Sequence, residues 1–433
     1  MRPAPAPYTV RILVATDHFP PHIGGAQIQS RTLALELHRR GHDVQVATVW
    51  QNGSVRGETD EGVPVHRLRQ MRTLPLLARK RSQHHQPPFP DPVTIVELRR
   101  LIRKFKPEII HSYGWISYSC AAALIGLDTP LIITSRDYAY GCPKRTLMYK
   151  DGNECTGPAL LKCLDCAAQH YGPVKGWTAA LGVLGSRPLL RWKTSAIHSI
   201  SSYVQAMVRR DFLDDRTTAG GEEGRNSVIH DVVGNAPSRV GDASGKDNVA
   251  ARLRELPDEP FMLFVGALRR VKGVAELLAA YQLLDSPPPL VLIGTIEPDT
   301  PSSFPPGVRV LTDFPHAAVM EAWGRCLFGV LPSLWAEPFG TVVCEAMSRG
   351  RPVIATRPGG HTDMVVNGQT GLLVERGDVQ ALATAMRYMP ENEQERERLA
   401  RAAAVLAEQF TVAVSLPRLE RMYVETVARK SRA

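Results

Sequence analysis

Pro332-Ser333-Leu334-Trp335-Ala336-Glu337-Pro338-Phe339-Gly340-Thr341-Val342-Val343-Cys344-Glu345-Ala346-Met347 is the stretch on which the reading of this chain turns. The apolar run Leu327 to Leu331 before it predicts a buried strand, and the residues from about Gly340 to Gly350 predict a helix. A loop carrying Glu337 joins them. Backbone N–H groups at such a helix start favour an anion, so a diphosphate can sit there without a lysine of its own. Gly340 removes a side chain that would hinder close approach. Glu345 follows Thr341 by four residues, on the same helix face and about one turn deeper. Two carboxylates at E-x7-E spacing can each accept hydroxyl hydrogen bonds, one from a sugar and one from a ribose. A capped helix with one solvated carboxylate would also contain these glutamates, so the neighbouring segments decide.

Two further glycine-rich loops flank the segment, Val265-Gly266-Ala267-Leu268-Arg269-Arg270-Val271-Lys272-Gly273 and Arg357-Pro358-Gly359-Gly360-His361. Both follow predicted strands, at the carboxyl edge where open α/β sheets place ligands. Lys272 offers a mobile cation to a diphosphate, and Arg269 or Arg270 can add a bidentate grip. Such cations and amides, aimed at the charge that grows on a departing diphosphate, would be the main catalytic device. Phe314 and the loop after Gly294 are the places expected for a nucleotide base.

Outward from this core, strands and helices alternate along the whole chain. Val10 to Thr16 and Asp43 to Thr48 read as buried strands, with a helix from Gln27 to Arg40 stopped by Gly41. Ile109-Ile110-His111, Leu131 to Thr134 and Ile197 to Ser201 follow. A second series runs through Phe261 to Val265, Leu290 to Ile293, Val308 to Val310 and Val353 to Ala355. The alternation predicts an α/β chain of two doubly wound, Rossmann-like domains. A length of 433 residues fits two domains of roughly 200 residues. Their expected limits are 1–205 and 206–410, with exposed linker at Thr217 to Arg225 and Ser238 to Asn248. A cleft between them is the expected place for a sizeable ligand.

The Glu337-to-Glu345 segment, the Gly266-to-Gly273 loop and the Gly359-Gly360 loop together resemble glycosyltransferase family 4, with its GT-B architecture of two Rossmann-like domains facing across a cleft. The resemblance implies that Glu337 contacts the donor sugar, Glu345 holds the ribose and Lys272 binds the diphosphate, with Phe339, Gly340 and Thr341 in the same donor site. It implies retention of anomeric configuration without a catalytic metal, and no Asp-x-Asp occurs in the sequence. It also implies that Gly24-Gly25, in the loop Phe19-Pro20-Pro21-His22-Ile23-Gly24-Gly25-Ala26, lies across the cleft from the donor, and that a helix at 411–433 crosses back to the first domain. Two positions depart from the pattern. Ala267 stands where the family usually has arginine, and Tyr113, in Ile110-His111-Ser112-Tyr113-Gly114-Trp115, stands where it favours a second histidine near the donor sugar. Tyr113 can still hydrogen-bond a sugar, while His111 reads as a strand-end histidine satisfied by backbone.

Cys142, Cys155, Cys163 and Cys166 form a C-x12-C-x7-C-x2-C pattern in an insert, 138–175, that reads as loop-rich. Four thiolates with a terminal C-x2-C can build a tetrahedral zinc site, an alternative to free or redox-paired thiols. Asp137, in Arg136-Asp137-Tyr138 just before the insert, is a candidate acceptor contact. Cys120, Cys326 and Cys344 read as small core residues.

The formal charge of +9 has a local source. His66 to Pro90 carries Arg67, Arg69, Arg72, Arg79, Lys80 and Arg81 without an acid, followed by the basic amphipathic stretch Leu98 to Lys106. Such a pair suits either an anionic lipid surface or plain solvent. Sparse aromatic interleaving argues against nucleic acid. No window approaches the roughly 20 apolar residues of a membrane span, and the start lacks a signal-like apolar core. A cytoplasmic protein, at most peripheral to the inner face of a membrane, is expected. The expected activity is transfer of a hexosyl unit from a UDP- or GDP-sugar, UDP favoured, to a hydroxyl. The acceptor is either a lipid-linked or polysaccharide precursor or a small natural-product or cyclitol molecule. A catalytically silent nucleotide-sugar-binding paralogue and a nucleotide-sugar epimerase are the alternatives.

Overall fold

A computed structural model of the chain describes residues 8–20, 25–51, 54–73, 86–150, 152–213, 226–230 and 246–430. Two compact units are present, one of residues 1–234 with 415–433 and one of residues 235–414. Gly24, residues 74–85 with Arg79, Lys80 and Arg81, the expected linker 217–225 and residues 238–245 of the expected linker 238–248 lie outside the described residues, while 246–248 open a helix, Lys246–Leu253, instead of linker.

In the first unit the strands are β1 (Arg11–Thr16), β2 (Asp43–Val49), β3 (Gly57–Asp60), β4 (Val63–Leu68), β5 (Ile109–Tyr113), β6 (Leu131–Ser135), β7 (Met148–Tyr149), β8 (Asn153–Glu154), β9 (Thr194–Ser199) and β10 (Asn226–Val228). Its helices are α1 (Gly25–Arg39), α2 (Pro92–Phe105), α3 (Ile116–Ala123), α4 (Leu160–Tyr171), α5 (Pro173–Lys193) and α6 (Ser202–Asp211). The main sheet runs β10-β9-β6-β5-β1-β2-β4-β3 and is parallel except for the β3–β4 edge hairpin. That hairpin turns at Glu61-Gly62, both at positive φ, as a two-residue primed turn requires. It lacks an apolar run, which is why periodicity does not announce it. β1, β5 and β6 are buried along almost their whole length, because helices of a doubly wound fold cover both faces.

The second unit holds β11 (Met262–Val265), β12 (Leu290–Ile293), β13 (Val308–Leu311), β14 (Phe328–Leu331), β15 (Val353–Arg357) and β16 (Gly371–Glu375). Its helices are α7 (Lys246–Leu253), α8 (Val274–Gln282), α9 (His316–Arg325), α10 (Thr341–Ser348), α11 (Val379–Glu391) and α12 (Glu393–Ala407). The sheet order is β13-β12-β11-β14-β15-β16, all parallel. Numbered from β11, this is 3-2-1-4-5-6, so the strand order reverses between β11 and β14. A last helix, α13 (Val412–Lys430), belongs to the first unit from Ser415 onward.

α13 is tied to that first unit by polar contacts. Glu420 accepts from Arg40 at 2.5 and 2.8 Å and meets His42 Nε2 at 3.1 Å. Tyr423 OH meets His111 Nδ1 at 2.6 Å. The cysteine insert is less loop-like than its sequence suggests. Only the two-residue strands β7 and β8 cross its first half, whereas α4 and α5 form a close helical pair in which an added Cβ on Gly176 would lie 2.3 Å from the backbone of Ala167.

Candidate functional site

The loops leaving the carboxyl ends of β11 and β14 meet where the strand order of the second unit reverses, the position at which such sheets take ligands. The first loop tightens into a 3-10 turn at Arg270–Lys272 and ends on Gly273, which is left-handed at φ 72°. An added Cβ on Gly273 would lie 1.9 Å from the carbonyl oxygen of Pro332. The Leu334 N–H donates to Val271 O at 2.9 Å, and Gly360 N–H to Glu337 O at 2.6 Å. Thr356 Oγ1 donates to Ser333 O at 2.7 Å. The three glycine-rich loops thus interlock through backbone.

Glu337 sits at the centre, 7% exposed. Its Oε1 accepts from Lys272 Nζ, from Ser333 Oγ at 2.9 Å and from Trp335 Nε1 at 2.7 Å. Lys272 Nζ also lies 5.6 Å from the centre of the Trp335 ring. Burial on its own would raise the Glu337 pKa, but Lys272, His361 and the hydrogen bonds outweigh it and hold the carboxylate below its ordinary value. Burial pushes the His361 pKa down, against the opposite pull of Glu337. The site therefore presents a buried carboxylate and a partly exposed ammonium, paired without a net charge.

Gly340 opens α10 with φ 90° and no side-chain cap. An added Cβ there would lie 2.6 Å from the His361 ring. The small residue makes room for a histidine of the protein itself. At Gly294 the neighbour is likewise protein: a Cβ would come within 1.7 Å of Gly266 O. Phe339 turns its ring into the core against Phe410, 5.9 Å between centres. Thr341 is the first residue of α10. Glu345, one turn on, is buried and meets His316 Nε2 at 3.1 Å. Phe314, beyond the end of β13, is half-buried with the Arg252 guanidinium 5.2 Å from its ring centre. Arg269 lies 3.5 Å from Asp299, and the Arg270 N–H donates to the same carboxylate at 3.2 Å.

The first unit gathers its candidates where its own strand order reverses, between β1 and β5. Tyr113 is buried at the end of β5, stacked on His111 at 4.6 Å between ring centres, with the Arg136 guanidinium 4.8 Å from its own ring centre. His111 is held by the side chains of Tyr423 and Thr134, not by backbone as its strand-end position suggests. His198 joins the same cluster at 3.0 Å from Thr134 Oγ1. Asp137 accepts from Arg145 at 2.7 Å and from the Ala139 N–H at 2.8 Å. Arg145 also approaches the buried Asp17 at 3.7 Å, and Asp17 accepts the N–H groups of Trp115 and Ile116 at 3.0 and 2.7 Å. Gly25 is the first residue of α1.

The four insert cysteines, all free thiols, line one small cavity. Among the described residues no group of three or more His, Cys, Asp or Glu side chains is arranged to hold a metal ion, so the expected tetrahedral zinc set is not met. The thiols are satisfied locally instead. Cys155 donates to Gly157 O at 3.5 Å, Cys166 takes the Lys150 N–H at 3.4 Å, and amides of its own turn face Cys142. Sequence reasoning passed over Asp17, Arg145, His316 and His361. The last stands directly after Gly359-Gly360 and was legible there, while the others meet their partners only through the fold.

Two family models match in succession. One, of glycosyl transferase 4-like domains, covers residues 24–219, and the other, glycosyl transferases group 1, covers residues 246–405. Glycogen synthase of Mycobacterium tuberculosis is 25% identical over 91% of this chain and 89% of its own length. D-inositol 3-phosphate glycosyltransferase of Pseudarthrobacter chlorophenolicus is 31% identical over 34% of this chain and 38% of its own. Among solved structures, sucrose-phosphate synthase of Thermosynechococcus elongatus superposes with a TM-score of 0.67 at 20% identity, covering 96% of this chain and all of that one. Anabaena HepE in complex with UDP-glucose gives 0.61 at 16% identity, over 97% of this chain and 100% of its own. The chain is a nucleotide-sugar glycosyltransferase of the family 4 type, with the GT-B fold.

Proposed function

We propose that the chain moves a hexosyl unit from a UDP-sugar to a hydroxyl acceptor with retention of configuration. The pair of half-buried Lys272 and buried Glu337 at the strand-order reversal, beside the uncapped start of α10, carries this reading. Lys272 and the first amides of α10 take the diphosphate, whose negative charge grows as the sugar departs. Glu337 takes a sugar hydroxyl on an oxygen kept ionised by its surroundings, and Glu345 takes the ribose hydroxyls from one turn deeper. Arg269 and Arg270 supply the cation missing at Ala267. Tyr113, Asp137 and the Gly24-Gly25 turn serve the sugar and acceptor side. An acceptor hydroxyl on a sugar or cyclitol agrees with the names of the relatives, and the basic stretch at 66–106 favours one presented at an anionic membrane.

A thermal-shift screen with UDP, GDP, ADP and their sugars tests the donor, followed by an acceptor screen with the best one. UDP and a UDP-sugar should raise the melting temperature. No shift with any nucleotide, or inversion at the transferred anomeric carbon, would refute the proposal.

A further inference from the structure

α5 carries a stripe of large apolar side chains on its outward face. Its inner face carries small residues: Gly176 fits against the backbone of Ala167, and Gly182 against Pro88 and Phe89. Ala179 and Ala180 are buried beside them. Val183 and Leu190 are buried with them, but four large apolar residues point outward. Val174 is 80% exposed, Trp177 52%, Leu181 54% and Trp192 66%. Stepping 100° per residue, these four fall within one narrow sector, with exposed Gly185 and Pro188 between them and Thr178 as the polar exception. The stripe runs the length of a 21-residue helix, about 30 Å. Leu160 and Leu161 at the start of α4, 51% and 80% exposed, add to the apolar surface of the same helical pair. A surface helix that hides its alanines and shows its tryptophans has a partner to meet.

Charge identifies the partner. α5 contains Lys175, Arg187, Arg191 and Lys193 and no acid, and no Asp or Glu occurs anywhere from residue 167 to 210. Lys193 Nζ lies 4.3 Å from the ring centre of the outward Trp192. Pro88 and Phe89, against which Gly182 packs, end the acid-free basic stretch that begins at His66. On α4 the exposed Asp165 is paired with Lys150 at 2.8 Å, while the α5 stripe, apolar side chains with tryptophans among them bordered by cations, has the chemistry of the boundary between lipid headgroups and acyl chains. A protein partner would bring its own acids, or a second copy would face these same cations with no anion on the stripe to offset them.

We infer that the outward face of α4 and α5 lies in the headgroup layer of an anionic phospholipid bilayer, with Val174, Trp177, Leu181 and Trp192 inserted. Among the described residues no helix is long and apolar enough to cross a membrane, so the attachment is peripheral. This deepens the functional reading above, and rests on it only for the consequence that the acceptor is met at a membrane.

Flotation of the full chain with vesicles tests it without any donor or acceptor. The chain should float with phosphatidylcholine–phosphatidylglycerol vesicles and much less with phosphatidylcholine alone. Leu181→Glu combined with Trp192→Glu should lower the bound fraction about tenfold, while the UDP-induced thermal shift stays as in the wild type. Lys175→Glu with Lys193→Glu should weaken binding in the same direction. Binding unchanged in the Leu181 and Trp192 variant would overturn the inference, as would no flotation at low salt. So would a dimer that the same substitutions convert to monomer, since a second copy would then be the occupant. A wild-type chain that does not float but shows the nucleotide shift counts against the membrane face alone, and one that floats without a nucleotide shift counts against the donor site alone.

Discussion

At the scale of single residues, the site depends on keeping a carboxylate ionised where water hardly reaches. Glu337 achieves this with three donors converging on one oxygen. Glu337→Gln keeps the shape and removes the charge, so nucleotide-sugar turnover should fall about 100-fold or more with little change in melting temperature. Steady-state kinetics with the best donor measure the loss, and wild-type turnover would remove Glu337 from the mechanism. Lys272→Ala acts differently, because it leaves a buried carboxylate unpaired. It should cost about 3 kcal/mol of stability as well as donor binding, seen as a lower denaturation midpoint, and Lys272→Arg should recover most of the stability.

Elements bring these residues together by backbone approach. Gly273 is left-handed and presses on Pro332 O, so Gly273→Ala introduces both a strained φ and a clash. The Lys272 turn and the Glu337 loop should then separate, costing about 2 kcal/mol and the nucleotide-induced thermal shift. A variant with an unchanged shift would show that the two loops act independently. α13 depends on a different device. Its Glu420 is buried and held by Arg40 and His42, so Glu420→Ala leaves Arg40 without its buried anion. Stability should fall by about 3 kcal/mol, and proteolysis should begin within α13 before it reaches the sheets, which limited trypsin digestion would reveal.

For the molecule as a whole, acid is the predicted weakness. Burial lowers the His198 pKa to about 4 and holds that of His111 well below its ordinary value. The unfolded chain binds these protons near pH 6.5, so the folded form is favoured fully above that value and loses ground as pH falls toward 4. Each histidine contributes up to about 1.4 kcal/mol per pH unit in that window. Melting temperatures across the window should drop steeply in the wild type and less steeply in His198→Gln. Parallel slopes would show that other groups set the acid limit. The +9 charge sharpens this loss, since each added proton increases self-repulsion.

The amino-acid sequence alone determined the α/β class, the central strands β1, β2, β5, β6, β9 and β11 to β15, and the loop set around Glu337. Short-range spacing suffices there, because a strand buried on both faces must be continuously apolar and a helix opened by glycine leaves its amides bare. Tertiary structure decided what those residues touch. The room beside Gly340 belongs to His361, Phe339 faces Phe410, and Glu345 finds His316 from another helix. The C-x2-C at Cys163 and Cys166 reads like a metal motif, yet among the described residues no group of three or more His, Cys, Asp or Glu side chains is arranged to hold a metal ion. The outward tryptophans of α5 could not be told from core residues in the sequence. A helical period records which residues share a face, and only packing against Ala167, Pro88 and Phe89 settles which face is inside.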